Sequence, residues 1–308
     1  MSVQSVVYGN HNKWGKRNAQ FATGYLFVLP ALTLYLLFVF YPFVRSFFLS
    51  LTDWNGADAT KTFVGFDNYV KLFSDRVFWL SLQHNLLWMV VVTIGSISVG
   101  LFLAILLWQK PFGFLFFRTV FFLPQILGDA ILAIIWRLIF QPRRGVLFEL
   151  AKALEIDWLR ASPLADPQKA IWAVMIACIW ASVGFYFVIF LAGLQNVDRD
   201  LIDAAEIDGA NPTQSFYHII IPQLSHVLTL VTVLALIAGI KQFGIIWAMT
   251  QGGPANGTEV IATYAYRKFS SLSQVGSSAA LTMVMAFLAL TITILFIRLR
   301  EGRAGKNE

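Results

Sequence analysis

The chain has 308 residues and is 57% hydrophobic but only 13% charged. A soluble domain carries roughly 25% charged residues, so the shortfall excludes a soluble globular enzyme and points to apolar runs of about 20 residues, long enough to cross a bilayer. The net charge of +6 would argue for nucleic acid in a soluble protein, but here the basic residues gather at the chain ends and beside apolar runs, where they set membrane orientation, so no nucleic-acid partner is expected.

Residues 1–22 hold Lys13, Lys16 and Arg17 and no acid, the mark of a cytosolic flank. A membrane region follows over residues 23–300. Its first span, Tyr25 to Val44, is uncharged and longer than the roughly 7–15 residues of a signal-peptide core, so it is read as retained. Pro30 and Pro42 lie within it or at its end and predict kinks. Residues 52–81 are polar and fall outside the cell by alternation, with Asp67 placed to cap a short helix bearing Tyr69, Val70 and Phe73. Span two is Leu86 to Leu107. A brief basic turn with Lys110 and Pro111 returns to the cytosol, and span three, Thr119 to Phe140, contains Asp129 and Arg137. Residues 141–168 form a second external loop with a helical segment, Val146 to Leu154. Span four runs from Ala170 to Gln195 without a charge and contains the lone cysteine, Cys178, so no disulfide framework exists.

The next stretch, 197–222, is polar and lies between two apolar runs. Asp198 or Asp200 can cap a helix whose Leu201, Ala204, Ala205 and Asp208 share a face. Gly209 supplies a left-handed stop, and Asn211 with Pro212 restarts a helix that carries Phe216, Ile219 and Ile220 to Pro222. The string Asp203-Ala204-Ala205, then Asp208-Gly209-Ala210, then Phe216 and Pro222, resembles the cytoplasmic coupling loop of ABC-importer permeases, usually E-A-A-x-x-D-G-A followed by Phe and I-x-L-P. Asp203 stands where that family usually has Glu.

Span five runs from about Gln223 to Thr250 with Lys241 inside it. The turn T-Q-G-G-P-A-N-G-T-E follows at 250–259, with Thr258 placed to cap the next helix. Span six is Val275 to Ile297, and the tail, 301–308, is expected in the cytosol. The 250–259 string, with G-F-D-N-Y at 65–69 and F-F-L-P at 121–124, is similar to the sugar-permease branch of the same family. Asp129 departs from that branch, which has a small or apolar residue there.

The resemblance covers about residues 20–300. It implies an all-α polytopic protein with six transmembrane helices and the ABC type I importer permease fold, in a bacterial or archaeal plasma (inner) membrane with both termini cytosolic. It implies no cofactor on this chain, ATP and magnesium being bound by two copies of a separate ATPase subunit. It also implies a second related permease, an external solute-binding protein, and a substrate such as maltose, another oligosaccharide or glycerol phosphate. By offset from the coupling loop it assigns substrate contacts to Ser182, Phe185, Gly239 and Gln242; Tyr186 adds an aromatic at helical spacing, and Lys241 an embedded charge of the kind that marks transport paths.

No phosphate-binding glycine loop occurs, and His11, His84, His218 and His226 lack metal-ligand spacing, so no catalytic role is expected. An alternative is an ion-coupled secondary transporter or channel using Asp129 and Lys241 as a charge relay, although no inverted repeat is visible. A third, a membrane anchor without transport, explains the spans but not the 250–259 string.

Overall fold

The computed structural model describes residues 26–157 and 160–304; the basic stretch 1–22, Tyr25 and the last four residues lie outside the described part. Helix α1, Leu26–Ser50, is followed by a two-stranded antiparallel ribbon, β1 (Thr52–Asp53) on β2 (Thr62–Phe63), and by α2, Asp67–Phe73. Then come α3 (Arg76–Trp108), α4 (Phe114–Ile126), α5 (Asp129–Ile139), α6 (Val146–Ala153) and α7 (Ala170–Leu194). The polar stretch forms α8 (Arg199–Ile207) and the start of α9 (Pro212–Gln223), and the chain ends in α10 (Ser225–Ile240), α11 (Gly244–Thr250), α12 (Ile261–Ser270) and α13 (Val275–Ala304). Among the described residues, four helices are long and apolar enough to cross a membrane, and up to six spans result if each of two bent pairs is one span. The all-helical expectation stands.

Several predicted boundaries change. Span two begins at Arg76, because Asp75 caps α3 by accepting from the Val77 N–H at 2.8 Å. Span three is not one rod: α4 and α5 are bent by 101° at Leu127–Gly128. Span five is broken twice, by a 70° bend between α9 and α10 and by a stop at Lys241 before α11. Asp67 does not cap α2; Phe66 holds the N-cap position without a side-chain bond, and Asp67, the first helical residue, pairs with Lys71 at 2.7 Å.

The prolines explain much of the bending. A helix-interior proline lacks its N–H and its ring pushes on the carbonyl four residues back. Pro42 and Pro222 each follow a π-turn, Leu36–Phe40 and Phe216–Ile220, whose wider winding absorbs that crowding. Pro124 lies inside α4, two residues before its last, Ile126.

Helix α3 is the central post, packing along α7 and against α10 and α12. Trp88, Val174, Met175, Ile245 and Ile246 form the apolar core at one end, and Leu107, Phe187, Phe190, Leu194 and Leu224 form it at the other. The second cluster reaches Val197, Ile202 and Phe216, so it supports the polar stretch from beneath.

Candidate functional site

The 197–222 loop is held by local hydrogen bonds of the kind its sequence predicts. Asp198 Oδ1 accepts from the Asp200 N–H at 3.0 Å and caps α8. At the other end Gly209 has φ +85°. Its N–H donates to Glu206 O at 3.1 Å and the Ala210 N–H donates to Ala205 O at 2.9 Å, the paired bonds that close a helix on a left-handed residue. Asn211 and Gln214 then cap α9 reciprocally, at 2.8 and 2.9 Å.

Three contacts seat this unit on the bundle. The Asp198 N–H donates to Gln223 Oε1 at 2.9 Å, the Arg199 guanidinium lies 5.6 Å from the Trp108 ring centre, and Ile202 packs into the core. What faces outward is mixed: Leu201 and Ile207 are 51% and 87% exposed, and Asp203, Ala204, Glu206 and Asp208 stand exposed beside them. Between α8 and α9 lies a hollow of about 360 Å³ lined by Ala205, Asp208, Gly209, Ala210, Gln214 and His218, among others. Phe216 is half-buried beneath it and Pro222 is exposed at the base. An acidic, partly apolar ledge with a small-residue hollow can receive a helix end or loop of a basic partner.

The residues assigned to a substrate path are dispersed. Ser182 donates to Cys178 O at 2.8 Å and shares a 2.7 Å bond with Ser96 across the α3–α7 contact. Tyr186 is buried at the same contact, 6% exposed, and Phe185 beside it is 37% exposed. Gly239 lies against α3, where a Cβ would come 3.2 Å from Met89 Cα. Lys241 is exposed and Gln242 half-buried at the break between α10 and α11. The larger hollow, about 660 Å³, is apolar and is lined by other residues, including Leu103, Phe121, Pro124, Trp136, Trp180 and Val183.

Asp129 and Lys241 form no ion pair among the described residues. The Asp129 carboxylate instead sits on Gly244, where a Cβ would come within 1.8 Å of Oδ2. This joins the break of span three to the second break of span five.

Two residues escaped the sequence reading. Asn85, 5% exposed, donates to Ile240 O at 3.2 Å and accepts from the Ile261 N–H at 3.0 Å, tying α3 to both neighbours. Glu259, fully buried, pairs with Arg267 at 3.0 Å. Burial pushes the Glu259 carboxyl above the usual carboxylate range, and the Thr263 hydroxyl and Arg267 only partly offset this. Thr258 does not cap α12; Val260 holds that position, and the Thr258 hydroxyl donates to Gly253 O at 2.9 Å, closing the turn. An asparagine at the start of an apolar run was the available signal for Asn85, whose partners lie too far along the chain to be read from spacing; an acid four residues past Ala255 within the turn string, with Arg267 eight residues on, was the signal for Glu259.

The family of binding-protein-dependent transport system inner membrane components matches residues 96–301. The probable ABC transporter permease protein YurN of Bacillus subtilis is 34% identical over 290 residues, covering 92% of this chain and 97% of YurN. The probable starch degradation products transport system permease protein AmyD of Thermoanaerobacterium thermosulfurigenes is 30% identical over 279 residues, covering 91% and 94%. Among solved structures, a bacterial alginate ABC transporter in complex with an alginate pentasaccharide-bound periplasmic protein superposes with a TM-score of 0.80 at 20% identity, covering 93% of this chain and 96% of that one.

Proposed function

The chain belongs to the family of binding-protein-dependent transport system inner membrane components, and from that premise we propose that it is the membrane-spanning subunit of an ATP-driven importer for a sugar or oligosaccharide handed over by an external solute-binding protein. The observation that carries the reading is the 197–222 loop: two helices set at a fixed angle by Gly209 and the Asn211–Gln214 cap, presenting an acidic ledge and a hollow away from the bundle. That unit is more ordered than a connector between spans requires. In this reading it docks on the cytosolic side into a separate ATPase, present in two copies, which binds ATP and magnesium. Closure of the ATPase pair moves α8 and α9, the seating on Trp108 transmits the motion to α3, and the Asp198–Gln223 bond ties the start of α8 to the end of α9, which leads into α10.

A second related permease completes the path. A lone charge at the centre of a membrane helix costs about 2.5–3.5 kcal/mol on insertion scales, and irregular backbone is tolerated at membrane depth only where it is covered by protein or lines water. Exposed Asp129 and Lys241 at helix breaks meet both conditions if they face a cavity between two permeases. In this reading Phe185, Lys241 and Gln242 line that cavity, and Ser182, Tyr186 and Gly239 shape the wall behind it. The sugar class rests on the likeness to AmyD and on the fold shared with the alginate transporter.

The test is the energy source. Uptake into vesicles should require the co-expressed ATPase and internal ATP, and should persist when proton and sodium gradients are collapsed. Uptake that follows an ion gradient without ATP would establish the charge-relay transporter instead.

A further inference from the structure

The path from α4 to α6 sets the depth at which α6 lies. Helices of 13 and 11 residues, α4 and α5, are about 20 and about 16 Å long. With a bend of 101° between them, their far ends are about 23 Å apart, against about 30 Å of hydrocarbon. Helix α4 starts just after the end of α3, where Trp108 meets Arg199 of the 197–222 loop. Measured from that end, Phe140 reaches no deeper than about 23 Å, short of the far membrane boundary, which keeps the residues just after it close to the membrane rather than out in water.

The turn there is rigid. The Gly145 N–H donates to Gln141 O at 2.9 Å, a Cβ on Gly145 would lie 2.4 Å from Ile139 O, and the Ser162 hydroxyl donates to Phe140 O at 2.6 Å. It leads into α6, whose Leu147 and Ala151 face the core. Val146, Leu150 and Leu154, one turn apart in succession, are 57%, 54% and 66% exposed. The remaining side carries exposed Glu149 and Lys152. Helix α5 exposes a similar stripe, Ile131, Ile134 and Leu138.

Charge accompanies the stripe. Arg137, Arg143 and Arg144 are exposed, and none makes a side-chain hydrogen bond or ion pair among the described residues. Several other basic groups on this side are matched, Arg160 with Asp157, Lys169 with Asp166, Lys268 with Asp75 and Arg267 with Glu259, while Lys152 and Arg76 are exposed without such a partner among the described residues. We propose that α6 is an interfacial helix, with Val146, Leu150 and Leu154 in the edge of the hydrocarbon and Arg137, Arg143 and Arg144 on the phosphates of phospholipid headgroups in the leaflet away from the 197–222 loop. An apolar stripe at headgroup depth beside unmatched guanidinium groups fits a phospholipid surface, which offers both chemistries along one plane.

The experiment places a nitroxide label at Val146→Cys, Leu150→Cys or Lys152→Cys, each in a Cys178→Ala background, in the assembled importer in phosphatidylethanolamine–phosphatidylglycerol vesicles. Collision with oxygen and with a water-soluble nickel chelate is then measured. Labels at 146 and 150 should favour oxygen severalfold over the label at 152, and Arg143→Gln combined with Arg144→Gln should move the Leu150→Cys label toward the chelate. Labels at 146 and 150 as open to the chelate as the one at 152, or shielded from both reagents by a protein partner, would overturn the stripe. An unmoved label in the arginine double variant would overturn the phosphate contact.

Discussion

Asp129 and Gly244 meet where two spans break, and a carboxylate takes the space a side chain would fill. Overpacking at such a contact costs typically about 1–3 kcal/mol. Gly244→Ala should lower the thermal stability of the purified protein, and Asp129→Ala on top of it should restore most of the loss; equal losses in single and double variants would mean that the contact is not close. Asn85 acts at the same scale. Asn85→Leu removes its bonds to the Ile261 N–H and Ile240 O and leaves buried backbone groups unpaired at about 1–3 kcal/mol each. A melting temperature unchanged in Asn85→Leu would deny these bonds any weight. Neither residue's role was legible in the sequence, because each depends on partners more than a hundred residues away. Asp198, Gly209 and Asn211 were legible, because their partners lie two to five residues off; Gln214, which completes the Asn211 cap, was not read.

At the scale of elements, hydropathy located the apolar runs and missed their direction. Thr119 to Phe140 reads as one apolar stretch whether straight or bent by 101°. Pro124 and Gly128 were the local signs of the bend, and Pro222 was the sign of the 70° bend before α10. The 250–259 turn and α12 behave as one unit through Glu259 and Arg267. Because burial raises the Glu259 pKa, the folded protein holds that proton at a pH where the unfolded chain has lost it. This contribution to stability is full below the ordinary carboxylate value of about 4.3 and is lost as pH rises through the raised value. Unfolding followed from pH 4 to 8 should show that decline, and Glu259→Gln should flatten it; a decline unaltered in Glu259→Gln would place its origin elsewhere.

At the scale of the whole molecule, the spans form a post, α3, with α7 and α10 against it, and the polar loop seated at one end. The proposed topology puts both ends of the chain on the loop's side, so cysteines at Asn10→Cys and Gly305→Cys should resist an impermeant thiol reagent in intact cells, while Thr60→Cys reacts. Labelling at either end would invert the topology. The central claim is that the loop docks an ATPase, and Gly209 tests it most directly. A Cβ there would touch nothing within 4 Å, yet φ is +85°, so a side chain acts through the backbone alone, at about 1–2 kcal/mol. The measurement is co-purification of the ATPase with the Gly209→Val permease, read beside membrane insertion and uptake of two competing sugars. The variant should insert normally, retain less ATPase, import less of both sugars and keep their ratio; normal ATPase retention with normal uptake would contradict the docking role.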